Sequence, residues 1–285
     1  MSAQNEILAG VSLSLSGRFC LQGQEALNGI LLWVDYISPS HPIRLIVHDD
    51  ESRKEQAMEN NLRLLTQDRV DLLLGPYSSV LTMAVAPIAE THGKILWNHG
   101  GASDAIHGGG WRHLVSAVSP ASDYFRVLPL LIRRRDPTIS RISIVHAKTG
   151  SFAAYVARGA AEGARVANFS QIRMIPFDSP IEDPGAVVRE ALVGEPDLLV
   201  GVGSFQDDVE IVRQRARLHH VKSLAVVAAG LGSFHREVGR LAEGVIGPSQ
   251  WEPGVKYDTI AGPYLARFLS EYRARFQQEI GRAHV

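Results

Sequence analysis

The chain has 285 residues, of which 45% are hydrophobic and 21% are charged, so it is long enough to bury a sizeable core. Its 29 basic and 30 acidic residues give a formal net charge of -1, and both signs are mixed along the chain. This balance excludes the basic surface typical of proteins that bind nucleic acids or anionic membranes. Cys20 is the only cysteine, so no internal disulfide is expected, and no Cys/His spacing resembles a zinc site.

The first part of the chain alternates β-type runs with amphipathic helical stretches. Residues 7–15 alternate as a strand does, and residues 23–37 carry apolar side chains at helical spacing. Further strands are predicted at 43–47, 72–74 and 95–97, and further helices at 55–68 and 79–90. The order strand, helix, strand predicts a parallel sheet with helices on both faces.

The same series restarts after Ser119-Pro120. Helices are predicted at 122–134, 152–162, 184–192, 207–217 and 233–241, and strands at 142–145, 171–175, 198–202, 223–227 and 245–246. A turn-rich stretch at 247–254 precedes a final helix at 263–276. Two similar α/β units are therefore expected in one chain. No apolar run approaches the about 18 residues that a membrane span requires, and residues 1–6 show no export signal.

In an open α/β sheet, ligands bind at the loops that follow the carboxyl ends of the strands. In the first unit, the loop at 74–79 runs into a helix that Ser78 or Ser79 caps, and its free N–H groups and hydroxyl suit a carboxylate. A plain helix cap is the alternative. In the next loop, Gly100 and Gly101 let a ligand approach the backbone and Ser103 offers a hydroxyl, although the segment could equally be a turn.

The second unit has two comparable loops, at 146–152 and 201–205, each with small polar residues and one aromatic residue. Phe152 and Phe205 could close an apolar lid over a ligand, and burial in the core is the alternative for both.

The enzyme hypotheses lack essential residues. His107-Gly-Gly-Gly110 imitates the oxyanion loop of some esterases, but the chain has no Gly-x-Ser-x-Gly nucleophile motif. Gly201-x-Gly203 lacks the third glycine of a dinucleotide-binding motif. Asp49-Asp50-Glu51 could hold a metal or act as an acid/base pair, but a solvated helix start is the simpler interpretation. We therefore predict no catalytic residues, no metal and no cofactor.

Several short segments form an ordered set along the chain, namely 10–17, 23–33, Asp49-Asp50, 75–79, Trp251-x-Pro253 and Gly262-Pro263. This set resembles the type I periplasmic binding proteins, specifically the branched-chain amino-acid (Leu/Ile/Val) and amide-binding family of ABC transporter substrate-binding proteins. The resemblance implies an α/β fold of two Rossmann-like lobes, with parallel sheets flanked by helices, joined by a hinge that closes on a ligand.

The resemblance also divides the chain. It assigns residues 1–119 and 250–279 to lobe 1 and residues 120–249 to lobe 2. Members of the family continue for several more elements, so the C-terminal part is expected to be truncated. The last residues, 280–285, are expected to be a non-native tail, because they read like the translation of a sequencing adapter.

The resemblance places the ligand carboxylate at Ser79, and it places Phe152 and Phe205 where the family often has tyrosines that face the ligand. Ala229 stands where amino-acid binders carry an acidic residue that pairs with the ligand ammonium. Because an unpaired buried ammonium is costly, we expect a ligand without a free α-amino group, such as an aromatic or aliphatic carboxylate or an amide. The candidate ligand-binding residues are Phe19, Ser78, Ser79, Gly100, Gly101, Ser103, Phe152, Phe205 and Ala229.

The resemblance implies a periplasmic solute-binding protein of an ABC-type importer. It would bind a small carboxylate, amide or amino-acid-like ligand between the lobes, as a monomer or weak dimer, and deliver it to a membrane permease. The alternative is a cytoplasmic ligand-sensing regulatory protein of the same fold, similar to amide receptors. An esterase-like hydrolase is the third hypothesis, and no nucleic-acid partner is expected.

Overall fold

The computed structural model describes residues 6–252, 254–255, 262–278 and 280. These residues form two compact α/β units. The first unit comprises the described residues up to Val118 together with those from Gly254 to Ile280, and the second runs from Ser119 to Glu252. The expected non-native tail at 280–285 lies outside the described residues except for Ile280, and so does Pro253 of the Trp251-x-Pro253 segment. No helix in the described part of the chain is long and apolar enough to cross a membrane.

The first unit is built on a five-stranded parallel sheet with the strand order β2-β1-β3-β4-β5. Its strands are β1 (Ile7–Leu13), β2 (Ile43–Asp49), β3 (Leu72–Leu74), β4 (Ile95–Asn98) and β5 (Leu114–Ser116). Its first helices are α1 (Cys20–Ile37), α2 (Lys54–Thr66), α3 (Ser79–Thr91) and α4 (Asp104–His107).

The core of the first unit lies where α2 and α3 cover one face of this sheet. Leu73 of β3 and Leu96 of β4 are register partners and point to the same face, where both are fully buried. Leu64 of α2 and Val85 of α3 pack into the same cluster. Strands buried in this way read as continuous apolar runs, which is how Leu72–Leu74 appears in the sequence.

The second unit repeats the plan with a five-stranded parallel sheet in the order β10-β9-β8-β6-β7. Its strands are β6 (Arg141–Ala147), β7 (Gln171–Phe177), β8 (Leu198–Val202), β9 (Ser223–Val226) and β10 (Val245–Ile246). Its helices are α5 (Leu128–Arg135), α6 (Ser151–Val166), α7 (Pro184–Leu192), α8 (Phe205–Arg213) and α9 (Gly232–Val238). The last helix, α10 (Leu265–Phe276), packs on α1 in the first unit.

The two parallel sheets flanked by helices confirm the predicted α/β fold class. Three elements show the largest differences from the sequence prediction. The sequence interpretation missed α4 and β5, which have only four and three residues and so show no periodicity. The helix predicted from residue 122 begins at Leu128, because residues 121–123 form a separate 3₁₀ turn.

Two glycines allow α6 to pack tightly against the segment before α5. A Cβ atom on Gly159 would stand 1.8 Å from the carbonyl oxygen of Ser122, and one on Gly163 would stand 1.8 Å from that of Arg126. Contacts this short with backbone atoms cannot relax by a side-chain rotation. These glycines are therefore required by helix packing, in contrast to Gly29 of α1, where a Cβ atom meets nothing within 4 Å.

We expect Gly159→Ala and Gly29→Ala to change stability in opposite directions. Overpacking by Gly159→Ala lowers the free energy of unfolding by about 1–3 kcal/mol or more. Gly29→Ala raises it by about 0.5–1 kcal/mol, because alanine loses less backbone entropy in a helix. Urea denaturation of both variants measures the two changes. A Gly159→Ala variant as stable as the wild type would contradict the packing described above.

Candidate ligand-binding site

The loops that follow β1, β3 and β4 lie side by side at the carboxyl edge of the first sheet. β3 pairs with both β1 and β4, and all three strands run parallel. Their following loops therefore emerge at the same edge, which is where open α/β sheets bind ligands. Six of the predicted site residues belong to these loops, counting Ser79 at the start of α3: Phe19, Ser78, Ser79, Gly100, Gly101 and Ser103.

Ser78 is the N-cap of α3. Its Oγ accepts a hydrogen bond from the Leu81 N–H at 3.4 Å, and its carbonyl accepts one from the Thr82 N–H at 3.0 Å. Its φ of 85° lies in a region that residues other than glycine rarely adopt. Helix capping, which was the alternative to ligand binding for this loop, therefore explains the presence of the Ser78 hydroxyl.

Ser79 connects the loop after β3 to the loop after β4. Its Oγ accepts a hydrogen bond from the N–H of the fully buried Ser103 at 3.0 Å. A serine hydroxyl that accepts one hydrogen bond still has its own proton to donate. The structure thus brings Ser79 and Ser103 together, and Ser79 keeps a donor for an anionic oxygen.

There is no room for a side chain at Gly100 or Gly101, because neighbouring residues fill the space around them. A Cβ atom on Gly100 would lie 2.8 Å from Cδ2 of Tyr77, and one on Gly101 would lie 2.6 Å from Oγ1 of Thr82. Both glycines are buried. Packing against the loop after β3 and against α3 therefore explains these residues without a ligand.

Asn98 holds the loop after β4, and the sequence interpretation missed this role. Its Oδ1 accepts from the Gly101 N–H at 2.7 Å and its Nδ2 donates to the Gly101 carbonyl at 2.8 Å. Asn98 is fully buried. The sequence did contain a signal for this role, namely an amide side chain at the end of an apolar strand. A buried amide needs hydrogen-bond partners.

The acidic pair after β2 holds the loop after β1. Asp49 Oδ1 accepts from the Leu15 N–H at 2.9 Å, and Asp50 Oδ1 accepts from the Ser14 hydroxyl at 2.6 Å. Partial burial opposes ionisation of Asp49, but the backbone N–H groups that it accepts from outweigh this and lower its pKa. The pair has a structural role, and the described residues contain no cluster of three or more metal-ligating side chains.

Aromatic rings line the same edge. Phe19 lies edge-on to Tyr77 with ring centroids 5.5 Å apart, and the Arg18 guanidinium lies 5.4 Å from the Phe19 ring centre. Tyr77 also neighbours His99, with centroids 6.5 Å apart. His99 was not predicted as a site residue, and burial lowers its pKa to about 4, so it is neutral at physiological pH.

In the second unit, the three candidate residues each lie after the end of a strand. Phe152 follows β6, Phe205 follows β8 and Ala229 follows β9. Phe152 packs edge-on against Tyr124 at 5.4 Å, whereas Phe205 is 36% exposed at the start of α8. Ala229 is 5% exposed, and its carbonyl lies 3.0 Å from Nε2 of His235. Phe205 is therefore the more accessible of the two phenylalanines.

A buried carboxyl lies next to Ala229, and the sequence interpretation missed it. Asp208 Oδ1 accepts from the Gly203 N–H at 3.2 Å and Oδ2 accepts from the Ala228 N–H at 2.7 Å. Burial raises the pKa of Asp208 to about 8. Asp208 thus joins the loop after β8 to the loop after β9 and is largely protonated at neutral pH.

Comparison with known proteins gives a consistent result. A family model described as "Periplasmic binding protein" matches residues 6–283. A Leu/Ile/Val-binding protein homolog of Brucella abortus is 24% identical over 299 residues, which cover 99% of this chain and 73% of that protein.

Two solved structures share the fold. One is the branched-chain amino acid transporter substrate-binding protein of Streptococcus pneumoniae in complex with isoleucine, with a TM-score of 0.81, 20% identity, and coverage of 98% of this chain and 79% of that one. The other is a solute-binding protein of an ABC transporter from R. palustris in complex with benzoate, with a TM-score of 0.79, 16% identity, and coverage of 97% and 76%. The family and these neighbours are substrate-binding proteins, not enzymes, which confirms the non-catalytic interpretation.

Replacing the Ser79 hydroxyl should cost more stability than replacing that of Ser78. Ser79→Ala removes the hydroxyl oxygen that accepts from the buried Ser103 N–H, which lowers the free energy of unfolding by about 1–3 kcal/mol. Ser78→Gly loses only a few tenths of a kcal/mol of capping energy and relieves the positive φ. Guanidinium denaturation compares the variants, and an equal loss in both would contradict the bond between Ser79 and Ser103.

The raised pKa of Asp208 makes stability depend on pH. The folded-state pKa of about 8 exceeds the usual value of 3.8, so folding favours the protonated form. This contribution to stability is fully present below about pH 4 and is lost as the pH rises towards about 8. The Asp178 side chain, which pairs with Lys148, is 82% exposed and provides a control. We expect Asp208→Asn to flatten this decline and Asp178→Asn to retain it, in urea denaturation across that range. An unchanged slope in Asp208→Asn would show that Asp208 is ionised in the folded protein.

Proposed function

The chain belongs to the periplasmic binding protein family, and from that premise we propose that it is the solute-binding component of an ABC-type importer. It binds a small carboxylate reversibly and presents it to a membrane permease in the periplasm. The name of the Brucella abortus relative and the ligands bound in the two solved structures, isoleucine and benzoate, support a solute-binding role.

The observation that carries the proposal is the arrangement at the start of α3. Ser79 retains a hydroxyl proton to donate, and it lies in the first turn of a helix of 13 residues. The first N–H groups of a helix have no partner within it, and the helix dipole favours negative charge there. No acidic side chain occurs in this first turn. An anionic oxygen is therefore the group that this corner of the first unit binds best.

The second unit supports a ligand without an ammonium group. Ala229 offers no charge. The Asp208 carboxyl, which accepts from the N–H of the preceding residue, Ala228, is buried and already accepts two backbone hydrogen bonds. Because burial keeps Asp208 largely protonated below about pH 8, it is a poor counter-ion for an ammonium. Of the two relatives' ligands, benzoate fits this requirement and isoleucine does not.

A thermal-shift titration tests the proposal with benzoate, isoleucine, benzamide and benzylamine as probes. A ligand that binds only the folded protein at about 100 times its Kd adds about 2.7 kcal/mol of apparent stability. We expect benzoate to raise Tm clearly and benzylamine to leave it unchanged. We expect the benzoate shift to shrink in Ser79→Ala and to persist in the cap variant Ser78→Gly.

Two outcomes would contradict this proposal in different ways. Tighter binding of isoleucine than of benzoate would show that the protein does accommodate an ammonium, and the ligand class would be wrong. No shift with any carboxylate would argue against a carboxylate-binding role altogether.

A further inference from the structure

A buried imidazole nitrogen without a hydrogen-bond partner lies among the loops at the carboxyl edge of the first sheet. We propose that His99 is a specificity-determining residue, and that its Nε2 pairs with a second polar group of the ligand, a hydroxyl or a carbonyl. This inference rests on the proposed function, since it assumes that Ser79 and the start of α3 hold the ligand's carboxylate.

The first argument is the missing partner. The Nε2 atom of His99 is buried, and it has no hydrogen-bond partner among the described residues. Buried polar side-chain atoms nearly always have a partner, and leaving one unpaired costs stability. A ligand that makes this hydrogen bond removes the cost of the unpaired nitrogen, and this gain strengthens ligand binding.

Two further histidines whose buried nitrogen lacks a hydrogen bond, His48 and His113, have a carboxylate close by. His48 Nε2 lies 3.7 Å from Asp68, and His113 Nδ1 lies 3.2 Å from Glu90. These pairs are ordinary structural contacts within the first unit. His99 forms no ion pair within the described part of the chain, and its one aromatic neighbour there, Tyr77, contacts it through the ring.

The second argument is position. His99 lies between Asn98 and Gly100, and the Asn98 side chain accepts from the N–H groups of Gly100 and Gly101, so the imidazole is presented by a rigid loop. The same loop ends at Ser103, which donates to Ser79. His99 and Ser79 thus belong to two loops joined by a direct hydrogen bond. A ligand at the start of α3 lies beside the loop that carries His99.

The third argument is the chemistry of the ring. Burial keeps His99 uncharged at neutral pH, so it offers one N–H donor and one acceptor instead of a positive charge. Such a group discriminates by hydrogen bonding and does not attract a second carboxylate. The ligand class that fits both features is a carboxylate carrying a hydroxyl or carbonyl group, for example a hydroxylated aromatic acid.

The test compares benzoate with 4-hydroxybenzoate and 3,4-dihydroxybenzoate by isothermal titration calorimetry. We expect the wild type to bind one of the hydroxylated acids about 3- to 10-fold more tightly than benzoate, the equivalent of one hydrogen bond. His99→Phe should abolish this preference, and His99→Gln, which keeps a donor and an acceptor, should retain part of it. His92→Gln, on the exposed end of α3, serves as the matched control and should leave the preference unchanged.

A ligand-free measurement makes the proposal testable even where no probe binds. The His99 ring has a buried Nε2 without a partner among the described residues. Replacing this ring by an apolar ring of similar shape leaves stability unchanged or raises it, so Tm of ligand-free His99→Phe should equal or exceed that of the wild type. A clear drop in its Tm would show that His99 is paired within the protein and would overturn the proposal. Carboxylate binding with the same preference in wild type and His99→Phe would overturn it as well and leave the proposed function standing. Failure of every carboxylate to bind would refute both.

Discussion

Buried polar side chains at the strand ends hold the loops on which the rest of the site depends. Every backbone N–H and C=O in a loop over a buried parallel sheet has to find a partner. Asp49 and Asp50 supply acceptors for the loop after β1, and Asn98 supplies both a donor and an acceptor for the loop after β4. Asp208 supplies acceptors for two loops of the second unit.

This constraint separates residues that build the site from residues that remain free to bind. Gly100 and Gly101 pack against neighbouring side chains, and Ser78 caps a helix, so their functions are accounted for within the protein. Ser79 keeps a hydroxyl proton, and His99 keeps an unpaired nitrogen. Free hydrogen-bonding capacity on a rigid loop is what a binding protein requires, because a preorganised site loses little entropy when the ligand binds.

Asp49 and Asp208 show how one residue type serves different purposes. Asp49 is only partly buried, and the backbone N–H groups around it keep its pKa low. Asp208 is fully buried, and desolvation outweighs its two backbone hydrogen bonds, which raises its pKa. The first carboxylate is a permanent anchor, whereas the second is sensitive to pH. Asp208 accepts a backbone hydrogen bond at each oxygen and is therefore a poor charged partner for a ligand.

The sequence by itself determined the α/β class, the alternation of strands and helices, and the loops in which to look for a site. Those features follow from the local spacing of apolar residues, which is visible along the chain. Only the tertiary structure decided the roles of Asn98, His99 and Asp208, because these depend on burial and on partners distant in sequence. Ser103 is 24 residues from Ser79, and Ala228 is 20 residues from Asp208. No local pattern encodes such pairs, since folding brings them together through strand pairing. For the same reason β5 and α4, too short to show a period, appeared only in the folded chain.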